Sequence, residues 1–167
     1  MQQNNTIHPT AVIYSNVIIE ENVYIGAYCI IGAPAESLAH WNEPENYNTV
    51  VIKSGARITG HVTIDAGTHR NTVIGKDTFI MKGCHIGHDA VIHNNAILSP
   101  HVIIGGHSEV GEYTNMGMGS IVHQRVSIPD DCMIGMNSTI TKSTELSPNA
   151  VYVGSPAKFL RWNNRRK

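Results

Sequence analysis

Large apolar residues recur along this chain at steps of six. From Ile74 onward they fall at Ile80, Ile86, Ile92, Leu98, Ile104, Val110, Met116, Val122, Ile128, Ile134, Ile140 and Leu146. Four residues after each comes a slot that is never large or charged, as at Cys84, Ala90, Ala96, Val102, Ser108 and Thr114. Glycine directly follows the apolar position at Gly75, Gly87, Gly105, Gly111, Gly117 and Gly135. An amphipathic helix would place apolar residues at steps of three and four, and a half-buried strand would alternate by two. A step of six fits neither, so the pattern predicts a repeat array. Each unit is a short strand and a bend. It is too small to bury its own apolar face and becomes stable only when stacked on its neighbours. The large residue is expected to fill the interior and the small one to sit where the chain approaches itself. Glycine is expected at corners that need unusual dihedrals.

The same pattern starts early, at Ile7, Ile13, Ile19, Ile25 and Ile31, with Ala11, Val17, Val23, Cys29 and Ala35 in the small slot. It breaks over 33–50, where APAESLAHWNEPENYNTV carries two prolines and no period. That stretch predicts a loop thrown out from the array, and loops of this length inside a compact domain usually serve function. The register returns at Ile52, Ile58 and Ile64, skips four residues around Thr68–Thr72, and then runs to Leu146. Residues 1–150 are therefore read as the repeat domain. Residues 151–167, where Gly154 and Pro156 stop the pattern, are read as a tail or short helix. In that tail Phe159, Leu160 and Trp162 are expected to cap the open end.

This register resembles that of hexapeptide-repeat proteins. The resemblance implies an all-β fold, a left-handed parallel β-helix with three hexads per coil, against the usual right-handed crossover rule. Residues 18 apart would then stack about 4.8 Å from one another. On that arithmetic the hexads beginning at Ile86, Ile104 and Val122 lie one above another. His88 sits under Gly106 and Gln124, and Asp89 under His107 and Arg125. His123 tops the neighbouring glycine column and His85 occupies the corner just before. Four histidines on one ridge, beside a carboxylate and a glycine, suit proton abstraction by an oriented imidazole. A glycine N–H is available for a developing oxyanion. That equipment fits direct attack of a hydroxyl or amine on an activated acyl group, without an acyl-enzyme.

Composition narrows the field. The chain has 167 residues, of which 41% are hydrophobic, and a formal net charge of -1. Its pI is about 6.8. A near-neutral chain without a basic stripe argues against nucleic acid. No stretch approaches 18 apolar residues, so no membrane span is expected, and the N-terminus lacks a signal-like apolar region; a cytoplasmic location is expected. Cys29, Cys84 and Cys132 all occupy the small slot and are expected to fill the core. The ten histidines are the one compositional excess.

The runs Cys84–Asp89 (CHIGHD), Gly105-Gly106-His107 and Val122-His123-Gln124, with the opening Ile7-His8-Pro9-Thr10-Ala11, resemble a known enzyme family. That family is the acyl-carrier-protein-dependent UDP-N-acetylglucosamine O-acyltransferases of lipid A biosynthesis. The resemblance implies His88 as general base, Asp89 orienting it, and Gly106 as oxyanion donor. It also implies His85, His107, His123 and Gln124 as lining for the donor and acceptor clefts. It further implies a homotrimer, a sugar or nucleotide-sugar acceptor, and no bound cofactor. The ending Gly154-Ser155-Pro156-Ala157-Lys158 is instead similar to small sugar acetyltransferases, so the donor stays open between acyl carrier protein and acyl-CoA such as acetyl-CoA. The basic residues Arg161, Arg165, Arg166 and Lys167 could steer either donor. Two other readings remain. Gly87-His88 and His93 resemble the zinc pair of γ-class carbonic anhydrases, with Asp65 where a third histidine is expected. A catalytically silent scaffold would need none of these residues. The favoured reading places no metal in the site.

Overall fold

The computed structural model describes residues 4–36 and 47–164. Three β-sheets of nine, seven and six strands wrap a single interior, and consecutive strands pass from one sheet to the next. Phe79–Ile80, His85–Ile86 and Val91–Ile92 lie on three different sheets. Each pairs in parallel with the strand 18 residues later: Phe79 with Ile97, His85 with Ile103, and Val91 with Glu109. Most of these strands are two residues long, because a six-residue unit has room for only a short extended pair before its bend.

The register also measures the interruptions. Tyr24 pairs with Arg57 and Arg57 with Phe79, offsets that exceed one coil by 15 and by four residues. The first excess is the 33–50 insertion, of which residues 37–46 lie outside the described residues. The second is the stretch around Thr68–Thr72. The two are joined, since Asn48 bridges Gly67 and its N–H donates to the Gly67 carbonyl at 2.8 Å.

The second residue of each strand pair points inward. Ile80, Ile86, Ile92, Leu98, Ile104, Val110 and Met116 are fully buried, as is the small slot from Cys84 to Thr114. Each such isoleucine contributes about 1.5–3 kcal/mol by leaving water. The three cysteines are free and buried in this column. Two hydroxyls in the small slot bond to backbone, Ser108 donating to the His123 carbonyl and Thr114 to that of Pro129, while those of Thr78 and Ser120 are buried without a partner among the described residues.

The corners differ from expectation. Positive φ falls on the fourth residue of each hexad from Ile74 to Ile134, at Asp77, Gly83, Asp89, Asn95, His101, His107, Tyr113, Gly119, Arg125, Asp131 and Asn137. Only two of these are glycine, and asparagine, aspartate and histidine are the side chains that best tolerate this region. The glycines after the apolar position serve another purpose. A Cβ on Gly87 would stand 2.9 Å from the Gly106 nitrogen of the next coil. They are small because coils stack closely there.

The C-terminal segment is a strand and no helix. Ala150–Gly154 adds to the first sheet in parallel with Met133–Ile134, and Ala157–Trp162 turns back antiparallel to it. The parallel stack thus continues through Gly154. Of the side chains expected to cap the core, Phe159, Leu160 and Trp162 are about half exposed, and the Phe159 ring meets that of the buried Tyr152 edge-on, with centroids 6.2 Å apart. Arg161 is described, whereas Arg165, Arg166 and Lys167 lie outside the described residues. Among the described residues no helix is long and apolar enough to cross a membrane.

Candidate active site

The corner at Asp89 is the centre of the site. Its φ of 60° turns the chain so that the carboxylate faces back into the preceding coil, where it is fully buried. There it meets the four-residue interruption, which folds as a strap around it. One oxygen accepts from the N–H groups of Thr68, His69 and Arg70 at 3.1, 2.7 and 2.6 Å. The other accepts from the Thr68 hydroxyl at 2.7 Å and from His88 Nδ1 at 2.6 Å. Burial by itself would raise the Asp89 carboxyl. The Arg70 N–H, His88, Thr68 and the His69 N–H outweigh it and hold the carboxyl well below the usual carboxylate range. Asp89 is therefore a permanent anion at neutral pH.

A permanent anion at Nδ1 fixes the tautomer of His88. Nδ1 carries the proton that the carboxylate accepts, and Nε2 keeps its lone pair. Nε2 lies beneath Gly106, where a Cβ would stand only 2.7 Å from it and about 3 Å from its two ring neighbours. Gly106 leaves no open gap above His88. The imidazole itself occupies that space, and glycine is required for the ring to lie flat under the next coil. The Gly106 carbonyl accepts from the Arg125 N–H, and the His88 carbonyl accepts from the His107 N–H at 2.8 Å.

His107 closes the second side. Its ring meets that of His88 edge-on, with centroids 4.9 Å apart, and its Nε2 lies 3.7 Å from Asp89. Desolvation lowers its pKa despite the pull of Asp89. Arg70 buttresses the strap from outside. Its Nε donates to the Asp89 carbonyl at 2.8 Å, and its guanidinium pairs with Glu109 at 2.8 Å. That hydrogen bond is the leading reason the Glu109 carboxyl is held low.

His85 lies one corner earlier. Its Nδ1 meets the Thr63 hydroxyl at 2.8 Å and its Nε2 lies 3.8 Å from Asp65. Burial lowers its pKa, partly offset by Glu36. His123 and Gln124 stand two coils above His88 and one above Gly106, exposed, with no hydrogen bond to the His88–Asp89 pair among the described residues. Of the seven predicted site residues, His88, Asp89, Gly106 and His107 thus form one contact group. His85 flanks it, and His123 and Gln124 border it one coil away.

A metal ion is poorly served here. Among the described residues, the group whose ligand atoms converge within 4.8 Å is His69, Asp89 and His107, a set without His88 or His93. Its carboxylate already accepts from the strap and from His88. His93 faces Glu109 instead, at 3.7 Å.

Two family models match the chain. "Bacterial transferase hexapeptide (six repeats)" covers residues 1–33 and 71–106, and "Hexapeptide repeat of succinyl-transferase" covers 125–151. The chain belongs to the hexapeptide-repeat superfamily. Within it, the acyl-[acyl-carrier-protein]–UDP-N-acetylglucosamine O-acyltransferase of Campylobacter concisus is 32% identical over 142 residues, which is 83% of this chain. Its counterpart from Helicobacter pylori is 30% identical over 91% of the chain. The chain spans about half the length of both curated relatives, 53% and 55%. The solved UDP-N-acetylglucosamine O-acyltransferase of Moraxella catarrhalis superposes over 95% of this chain and 75% of its own. The match has a TM-score of 0.77 at 27% identity. That of Bacteroides fragilis gives 0.88 at 25% identity, over 96% of this chain and 62% of its own. The fold of this hexapeptide-repeat chain is the left-handed parallel β-helix.

The sequence reading missed Thr68, His69 and Arg70 as parts of the site. Their signal was present as the four-residue slip of an otherwise unbroken register. It marked an interruption without saying what the extra residues touch.

Proposed function

We propose that this protein transfers an acyl group from the thioester of an acyl carrier protein directly to a nucleotide sugar, with His88 as general base. The observation that carries the reading is the His88–Asp89 pair, a buried anion at 2.6 Å from Nδ1 that leaves Nε2 free to take a proton. The acceptor loses its proton to Nε2 as it attacks the thioester carbonyl. The oxyanion is met by the N–H of Gly106, and the departing thiolate takes the proton back from His88. No protein nucleophile is needed, which agrees with the cysteines. Burial pushes the Cys84 thiol up to about 11, and Cys29 and Cys132 are raised as well. The relatives' names supply the substrate class, a UDP-linked amino sugar and an acyl carrier protein.

The active unit is a homotrimer. On the sheet that carries His85, the outward side chains of Val12, Ile30, Ile103 and Ile121 are 51, 39, 41 and 40% exposed. These apolar residues share one outward column with Thr63 and His85, and apolar surface at the edge of the proposed site is suited to a partner. A second copy laid against it would cover both the column and the open side of the site.

The test is a transfer assay with acyl-loaded carrier protein and UDP-N-acetylglucosamine. Formation of an acylated nucleotide sugar, dependent on the intact protein, is the expected result. Hydrolysis of the thioester with no sugar product would overturn the reading.

A further inference from the structure

Asp65 is the one acidic group of the ridge that the proposed mechanism leaves without a task. It ends the strand Thr63–Asp65, is only 8% exposed, and accepts no hydrogen bond among the described residues. Among the described residues its one ion-pair neighbour is His85 Nε2, at 3.8 Å, and Glu36 adds a second negative charge nearby. A buried carboxylate without donors is costly, so a position that keeps one is expected to meet a cation or a proton from elsewhere. Asp65 also lies close to the reacting centre. Only Ala66 and Gly67 separate it from Thr68, whose hydroxyl binds Asp89, and His85 is three residues before His88. Three residues of chain reach at most about 10 Å, and a sugar ring bridges much of that.

The ridge thus carries two acid–base pairs, His88–Asp89 and His85–Asp65. A hydroxyl acceptor loses one proton on acylation. A protonated amine loses two, one before it can attack and one from the tetrahedral adduct. We propose that Asp65, with His85, is a second proton-accepting site of the cleft, and that the group acylated is the free amine of an amino sugar. The proposal rests on the acyl-transfer reading and deepens it, although the relatives' names specify O-acylation.

The chemistry balances as follows. The acceptor enters as R–NH3+ beside the Asp65 carboxylate and gives it one proton. The free amine attacks the thioester carbonyl and a C–N bond forms. The adduct gives its second proton to His88 Nε2. The C–S bond then breaks, and the thiolate takes the His88 proton to leave as a thiol. Asp65 returns its proton to water, so ammonium and thioester become amide, thiol and one H+. Burial and the Glu36 charge push the Asp65 carboxyl up to about 7, where it can both take and release a proton at neutral pH.

The experiment compares two acceptors on the intact protein with acyl-loaded carrier protein. One is UDP-N-acetylglucosamine and the other its analogue with an amine in place of the acylated hydroxyl. The wild type is expected to favour the amine at least tenfold in kcat/KM. In Asp65→Asn, which keeps the side-chain shape, the amine-to-hydroxyl ratio is expected to fall at least tenfold. A wild type that prefers the hydroxyl overturns this proposal and leaves acyl transfer standing. An amine preference that survives Asp65→Asn removes Asp65 from it. Transfer to neither acceptor overturns the acyl-transfer reading and this one together. The wild-type ratio decides the acceptor even where the variant fails to fold.

Discussion

At the scale of single residues, the site depends on one anion and one glycine. Asp89 organises five donors, so its removal is structural as well as chemical. Its folded carboxyl is held below the value of about 3.9 expected in the unfolded chain. The stability it contributes is therefore complete above about pH 4 and is lost as the pH falls through the depressed folded value. Denaturant midpoints taken from pH 7 down to pH 2 should show Asp89→Asn well below the wild type at neutral pH. The gap should close only in strong acid, and a gap independent of pH would contradict the assignment. Gly106 answers a different question. A Cβ there would fall 2.7 Å from His88 Nε2, against the end of a ring pinned by Asp89. Gly106→Ala should therefore lower kcat by at least about tenfold, since sub-ångström misplacement of a base is costly. Its unfolding temperature should move little, and unchanged turnover in a folded variant would show that Nε2 does not work at this position.

At the scale of elements, the strap around Thr68–Thr72 is what turns a passive repeat into a site. The coils from Phe79 to Val151 repeat at 18 residues, and among the described residues only where four residues are added does the backbone supply three N–H donors to one carboxylate. Arg70 holds that strap through the Asp89 carbonyl and Glu109. Arg70→Ala should leave acceptor KM within about threefold while kcat falls, and Arg70→Lys should restore only part of it, because a lysine cannot make both bonds in the same fork. Loss in KM alone would show that Arg70 binds substrate and does not position the base. This element also marks where the sequence stopped being readable. The coil length, the inward column and the stacking of His88, Gly106, Asp89 and His107 followed from the period of six, because a parallel stack converts sequence spacing directly into height. The strap has no period, and three of its contacts to Asp89 run through backbone N–H groups that almost any residue carries. Asp65 was visible only as a misfit to a zinc site, since its lack of donors is a three-dimensional fact. The tail was legible only in part for a related reason. Phe159, Leu160 and Trp162 look amphipathic, which left tail or helix open, and the free edge of Ala150–Gly154 takes the segment as an antiparallel strand.

At the scale of the whole molecule, the solenoid presents the proposed catalytic ridge on an open wall. A trimer of the 18.2 kDa chain should sediment as one species of about three times that mass. Ile103→Glu together with Ile121→Glu, on the exposed column, should shift it toward monomer and reduce transfer in parallel. A fully active monomer would contradict the shared site. The account as a whole stands on His88 as the base, and one measurement reaches it most directly. Single-turnover acyl transfer, with carrier-protein binding measured on the same samples, should fall about 10²–10⁴-fold in His88→Ala while donor affinity and assembly stay as in the wild type. A His88→Ala protein that transfers within threefold of the wild-type rate would contradict it.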